Sequence, residues 1–340
     1  LMNGWVYEGF EETYKKLGVH FDKLYYESDT YLLGKEAVFK GLNANVFYQN
    51  ADNSIWVDLS DKGMDQKIVQ RSDGTAVYMT QDIGTAQLRY KDFSVSKMIY
   101  TVADEQDYHF SVLFEILKRL GEPFADGLFH LSYGMVDLPT GKMKSREGTV
   151  VDADDLIDEV INEAQVASDE RGEVVELSDE ERKDIINKIG MAALKYFIIK
   201  VQAKKRMIFD PKESVDMQGQ TGPYIQNAYV RIKSILRKQE VSSLQSNTYN
   251  SLVDNEKELL KLLLDYPHMI SDAGINYEPS IIANYCYSLA KEFHRFYHDV
   301  RILKAETDDA RLFRLSLANE VAKVLKSGMK LLGIEMPERM

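Results

Sequence analysis

Near residue 150 the apolar pattern of this sequence changes period, and that change limits the folds open to it. Before that point short β-rich runs alternate with helical ones. After Val151 apolar residues recur only at helical spacing, in residues 185–201, 225–236, 259–264, 281–303 and 312–332. The clearest stripe is Ile282, Tyr285, Leu289, Phe293, Phe296, Val300 and Leu303, one continuous helical face. The second half is therefore predicted to be an α-helical bundle. Heptads are not sustained, so no coiled coil is expected. No internal repeat is present, and the Ser/Asn-rich residues 242–251 read as a loop.

The first half reads differently. Trp5, Phe10, Tyr14 and Leu17 fall about one turn apart and predict a helix ending at Gly18. Residues 29–83 are β-rich, with strands expected at 44–48, 54–59 and 76–80 between Asn-, Asp- and Gly-containing turns. Residues 99–103 read as a buried strand, 110–120 as a helix and 128–136 as another strand. That order is a βαβ unit of a parallel α/β sheet. The fold class predicted is thus α/β plus all-α.

A length of 340 residues suggests two or three domains, and 44% hydrophobic with 28% charged residues is ordinary for a globular protein. No window approaches the ~20 consecutive apolar residues that span a bilayer, so no membrane partner is expected. Cys286 is the single cysteine, which excludes an internal disulfide and a cysteine-based zinc site and makes a reducing cytoplasm the expected location. The opening Leu1-Met2-Asn3-Gly4-Trp5 reads as chain entered within a domain, so a fragment is expected.

The net charge of −12 argues against a nucleic-acid partner, but its distribution does not. Residues 152–184 hold fourteen Asp/Glu against three Lys/Arg, whereas 188–238 hold eleven Lys/Arg against Asp210, Glu213 and Asp216. A local excess of eight positive charges can face phosphate despite an acidic total, although a solvated helix surface has the same composition.

Chemistry concentrates after the strand ending near Val136. The run from Gly134 to Gly148 carries Gly141, Lys142, Lys144, Ser145 and Arg146. It is not a P-loop, because six residues separate its first two glycines and Met143 follows Lys142. A glycine-flanked loop with three cations and a hydroxyl can close on polyphosphate and stabilise a leaving pyrophosphate. A basic surface turn accounts for the cations equally well.

Lys142-Met143-Lys144-Ser145-Arg146 resembles the Lys-Met-Ser-Lys-Ser signature of class I aminoacyl-tRNA synthetases, in the form seen in arginyl-tRNA synthetases. Four further segments in chain order look like that family. Ser72-Asp73-Gly74-Thr75 through Tyr78-Met79-Thr80-Gln81-Asp82 is similar to its Ser-Asp-Gly-Thr…Tyr-x-Thr-Arg-Asp segment, with Gln81 in place of the usual Arg. Residues 102–110 resemble the strand-to-helix turn bearing its amino-acid-binding Gln, here Gln106. Residues 219–232 resemble the start of its anticodon-binding helix, with Asn227 where Tyr is usual. The tail from Leu331 to Met340 is similar to the family's C-terminal end. A His-x-Gly-His segment is absent.

The resemblance implies a partial Rossmann-type nucleotide-binding domain over 1–150 with a β-rich insertion at 29–83. An acidic connector over 151–186 and an α-helical anticodon-binding domain over 187–340 would follow. It further implies ATP-dependent activation of L-arginine and transfer to tRNA-Arg, with Mg²⁺ accompanying ATP as substrate and no tightly bound cofactor or resident metal. Lys142, Lys144, Ser145 and Arg146 are then the catalytic candidates. A guanidinium, a rigid fork of donors, calls for a carboxylate and planar acceptors, which Asp82, Gln106 and Tyr78 supply. Asp73 or Asp82 acting only as a helix cap is the competing possibility. His130, Gly134, Met135 and Val136, with Lys142 and Lys144, are the ATP-binding candidates.

Tyr224, Asn227 and Arg231 share one helical face and are the tRNA-binding candidates, because a ring can stack a splayed base while Arg binds phosphate. Ordinary amphipathic packing remains open for Tyr224. His294 and His298 have metal-ligand spacing, but their aromatic surroundings favour a core or RNA-facing role over a metal site. A monomer is expected. The alternative is a tRNA-binding module that does no chemistry by itself.

Overall fold

The computed structural model describes residues 2–30, 33–139, 151–171, 177–238 and 252–340. They form two compact units, His20–Met135 on one hand and Leu1–Val19 with Val136–Met340 on the other. The expected helix is α1 (Met2–Leu17), closed by Gly18 at φ +67°. Leu17 packs into a core, but Trp5 and Phe10 remain more than half exposed.

Within His20–Met135 the chain makes α2 (Glu27–Thr30), α3 (Gly34–Asn43), β1 (Tyr48–Gln49), β2 (Ile55–Val57) and β3 (Lys67–Gln70). The strands form an antiparallel sheet in that order, with Tyr48 opposite Trp56 and Trp56 opposite Ile68. Two expectations fail here. Most of 44–48 is a turn: Asn45 has φ +55°, and Phe47 folds back so closely that a Cβ on Gly41 would lie 2.2 Å from its ring. Residues 76–80 are not a strand either, because after one bridge from Ala76 to Gln70 the chain enters α4 (Tyr78–Phe93).

Helices α3 and α4 cross at backbone contact. A Cβ on Gly84 would sit 2.5 Å from the Gly34 nitrogen, and one on Gly34 would sit 1.9 Å from the Thr80 carbonyl oxygen. Gly84→Ala is therefore expected to force the helices apart and lower stability by about 2–3 kcal/mol. The shift of the urea midpoint measures this, and an unchanged midpoint would show that the crossing yields freely.

The βαβ unit is β4 (Met98–Ala103), α5 (Asp107–Arg119) and β5 (Leu128–Tyr133), with the strands parallel and Tyr100 opposite His130. Strand β4 is not buried on both faces: Met98, Tyr100 and Val102 turn inward, while Ile99 and Thr101 are exposed. Val112, Leu113, Ile116 and Leu117 of α5 are completely buried, and Tyr100 packs against Phe110 and Phe114 with ring centroids 5.0 and 5.6 Å apart.

In the other unit, β6 (Val136–Asp137) precedes α6 (Ala153–Arg171) and α7 (Asp179–Ile199), the latter capped by Ser178 and Glu181. The acidic stretch 151–186 is thus largely helix, and α6 packs its apolar face (Ile157, Val160, Ala164) on α7. Gly190 permits the approach, since its Cβ would meet the Ile161 Cα at 2.9 Å. A two-residue strand β7 (Met207–Ile208) pairs in parallel with β6, a ladder too short to show in sequence. After α8 (Pro211–Ser214) come the bundle helices α9 (Gly222–Arg237), α10 (Asp254–Asn276), α11 (Ser280–Asp299) and α12 (Asp308–Leu331).

Helix α11 is the core of the bundle, with Ile282, Tyr285, Leu289, Phe293 and Phe296 buried as their spacing predicts, but it ends at Asp299: Val300 is extended, so Val300 and Leu303 do not continue the helical face. Cys286 lies among them, and burial pushes its thiol up to about 12. Such a thiol is chemically inert at neutral pH. The loop expected at 242–251 lies outside the described residues.

The C-terminal tail is fastened to α9. Gln226 Nε2 donates to the Glu335 carbonyl at 2.8 Å, and Arg237 donates to that of Glu338 at 2.9 Å. Burial pushes the Glu338 carboxyl up, but hydrogen bonds from Tyr229, Lys233 and Lys326 outweigh it and hold the group at about 2. A carboxyl lowered on folding stabilises above its unfolded value, near 4.5, and that stability is lost as pH falls toward 2. Glu338→Gln is expected to melt slightly lower at pH 6, because water screens a side chain that is about half exposed, with the gap to the parent closing by pH 2. A gap that does not depend on pH would show that charge is not what holds the tail.

Candidate active site and RNA-facing helix

The amino-acid-binding candidates lie at the start of α4 and the carboxyl end of β4. Val77 is extended (φ −107°, ψ 168°) and is the residue from which α4 springs, its N–H meeting Thr80 Oγ1. Neither Asp73 nor Asp82 caps that helix. Asp73 instead accepts from the backbone N–H of Thr75 at 2.9 Å, which closes the Gly74 turn. Because α4 begins at Tyr78, Tyr78 and Asp82 stand one turn apart on the same face. Tyr78 is 74% exposed, and the Asp82 carboxylate is partly open.

Gln106 is exposed at the N-cap of α5, in the strand-to-helix turn where open parallel sheets bind ligands. The first turn of α5 carries His109, whose Nε2 lies 2.6 Å from Asp82 Oδ2. Sequence spacing had no means of finding this pair, because 27 residues separate its members.

His130 on β5 is committed internally. Its Nε2 bonds the Val102 carbonyl at 3.0 Å, its Nδ1 lies 3.2 Å from an Asp107 carboxylate oxygen, and its ring packs on Phe110 at 4.4 Å. What it can offer a nucleotide is main chain. Gly134 is buried immediately after β5, Met135 is half-buried, and Val136 pairs with Met207. Lys142, Lys144, Ser145 and Arg146 lie outside the described residues.

Helix α9 carries the RNA-facing candidates. Thr221 Oγ1 accepts from the Tyr224 N–H at 3.2 Å, and a Cβ on Gly222 would come 2.3 Å from the Ala192 carbonyl oxygen, so the helix starts pressed against α7. Tyr224, Asn227 and Arg231 are all half-buried on one side of α9. The Tyr224 ring meets those of Tyr287 and His294 at 5.3 and 4.8 Å. Arg231 donates to His294 Nδ1 at 2.9 Å and lies over the Tyr297 ring at 5.0 Å.

His298 pairs with Asp299 at 2.8 Å and is mostly exposed, so the two histidines do different things. Among the described residues no group of three or more His, Cys, Asp and Glu is placed to hold a metal ion. The positive charge of 188–238 is partly committed. Lys188, Arg206 and Lys233 face carboxylates, and Lys195, Lys200 and Arg237 donate to carbonyls. Among the described residues no helix is long and apolar enough to cross a membrane.

Residues 6–210 match the family model described as tRNA synthetases class I (R), catalytic domain, and residues 225–340 match the DALR anticodon binding domain. Together with the parallel βαβ unit and the helical bundle, these define the class: a class I synthetase catalytic region followed by a helical anticodon-binding domain. Arginine–tRNA ligase of Bacteroides thetaiotaomicron is 53% identical over the whole chain, and that of Flavobacterium psychrophilum is 56% identical. The chain belongs to the arginyl-tRNA synthetase family. It spans 58% and 56% of the length of those two relatives. In fold it is similar to Thermus thermophilus arginyl-tRNA synthetase (TM-score 0.83, 23% identity, 97% of this chain and 62% of that one). The Plasmodium falciparum enzyme is also similar (TM-score 0.81, 21% identity, 98% and 56%).

Proposed function

We propose that this chain is part of an arginine–tRNA ligase and holds its arginine-side carboxylate and its anticodon-reading helix. In the reaction the arginine carboxylate attacks the α-phosphorus of ATP in line and pyrophosphate leaves; a terminal tRNA hydroxyl then attacks the carbonyl of the resulting arginyl-adenylate, and AMP leaves. No covalent enzyme intermediate is needed, so the protein supplies position and charge. Asp82 meets the guanidinium, with Tyr78 as a wall and Gln106 as an amide acceptor. The backbone of His130 and of Gly134, Met135 and Val136 lies along adenine. Lys142, Lys144, Ser145 and Arg146 attend the leaving pyrophosphate, and Mg²⁺ arrives with ATP. Arginine activation requires bound tRNA.

The observation that carries this reading is Asp82. It is a partly open carboxylate one turn into α4, beside an exposed tyrosine, in a chain more than half identical to arginine–tRNA ligases. Joining the chain to the remaining sequence of the Flavobacterium psychrophilum relative should give tRNA-Arg charging that depends on arginine and ATP. The alternative, an RNA-binding module without chemistry, predicts tRNA binding and no charging from the same hybrid. Asn227, where the family usually has Tyr, leaves Tyr224 as the stacking ring on this face.

A further inference from the structure

Arg231 is held before any RNA arrives. Its Nη1 donates to His294 Nδ1 at 2.9 Å from 63 residues away, and its guanidinium covers the Tyr297 ring. The same His294 ring lies 4.8 Å from that of Tyr224. A guanidinium only donates, so Nδ1 must be the lone-pair nitrogen and the ring proton must sit on Nε2. Nε2 is buried and has no hydrogen-bond partner among the described residues. The side-chain hydrogen bond that holds the ring is thus the one Nδ1 accepts from Arg231. Burial, then the Arg231 charge, lower its pKa to about 4 against the opposing main chain of Tyr224, so the acceptor persists at neutral pH.

We propose that His294 is a positioning residue of the RNA-facing surface: its Nδ1 fixes Arg231 beside Tyr224, so that one cation and one aromatic meet a single-stranded anticodon nucleotide in a set geometry. The inference rests on reading α9 as RNA-facing. A free arginine side chain would lose its rotamer freedom when it engages a phosphate or base. One already held by His294 and Tyr297 loses less, and the complex gains by that difference.

The test is the affinity of the 340-residue chain for tRNA-Arg across a salt series, with thermal melting of each variant. Arg231→Ala is expected to weaken binding roughly tenfold and to lower the salt slope. His294→Gln, whose amide reaches one bond too far, should weaken binding to a similar extent, and the double variant should be no worse than Arg231→Ala alone. His294→Asn should return to within about twofold of the parent, because Asn Oδ1, like His Nδ1, is one bond from Cγ. Equal affinities for the Asn and Gln variants, or a double variant weaker by the product of the two single losses, would overturn the positioning role. No effect of Arg231→Ala would overturn the RNA-facing reading of α9 and the positioning role with it.

Discussion

Replacing Glu256 by alanine is expected to destabilise the helical bundle by about 3–4 kcal/mol. Glu256 is fully buried near the start of α10, and its carboxylate accepts from Arg314 Nε at 2.7 Å and from the Val253 N–H at 2.9 Å. Arg314 is itself 2% exposed. Removing the carboxylate leaves a buried guanidinium whose acceptors include Glu306, 2.9 Å away but mostly in solvent, and the Arg301 carbonyl. It also removes the acceptor that closes the first turn of α10. Glu256→Gln keeps a single acceptor oxygen, enough for Arg314 or for the Val253 N–H but not for both, and should recover no more than about half the loss. Urea unfolding of the parent and both variants measures this. A shift below about 1 kcal/mol for the alanine variant would show that water or a moved Glu306 replaces the carboxylate.

The second large effect is expected at Asp82. One charge-assisted hydrogen bond to a guanidinium is worth about 1.5–3 kcal/mol, so Asp82→Asn should raise KM for arginine about 10- to 150-fold in the hybrid enzyme, and leave KM for ATP nearly unchanged. His109 touches the same carboxylate, so the geometry gives Asp82 one oxygen occupied and the other available. Equal rises in both constants would place Asp82 in the architecture of the nucleotide site instead. An unchanged KM for arginine would remove it from substrate recognition.

Most of the fold was legible because two periodicities hold locally. Ile282, Tyr285, Leu289, Phe293 and Phe296 mark α11 by spacing alone, and β4, α5 and β5 follow from apolar runs of the right length. The failures have separate physical origins. Residues 76–80 have a strand's composition, but a strand needs a partner. Beyond the single bridge from Ala76 the backbone turns into α4, whose Met79, Ile83 and Ala86 are buried at helical spacing. Helix α3 was hidden by Gly34 and Gly41, poor helix formers kept there by contacts with Thr80 and Phe47. The short ladders β3 and β6–β7 carry too few residues for a period to show.

The candidate site divides in the same way. Motif residues such as Tyr78, Asp82, Tyr224 and Arg231 stand out in sequence, and each pair shares a helix whose start the structure explains. Their partners do not stand out: His109 for Asp82, His294 and Tyr297 for Arg231, and Glu338 for Tyr229 meet only through tertiary packing. His130 shows the converse, a motif residue whose side chain is spent on Val102, Asp107 and Phe110.

Direct binding tests whether the helical part of this chain reads tRNA-Arg. The 340-residue chain should bind tRNA-Arg with an affinity that falls as salt rises, and bind more weakly when the anticodon is exchanged and the rest of the tRNA kept. Equal affinity for the two tRNAs at every salt concentration would contradict that reading.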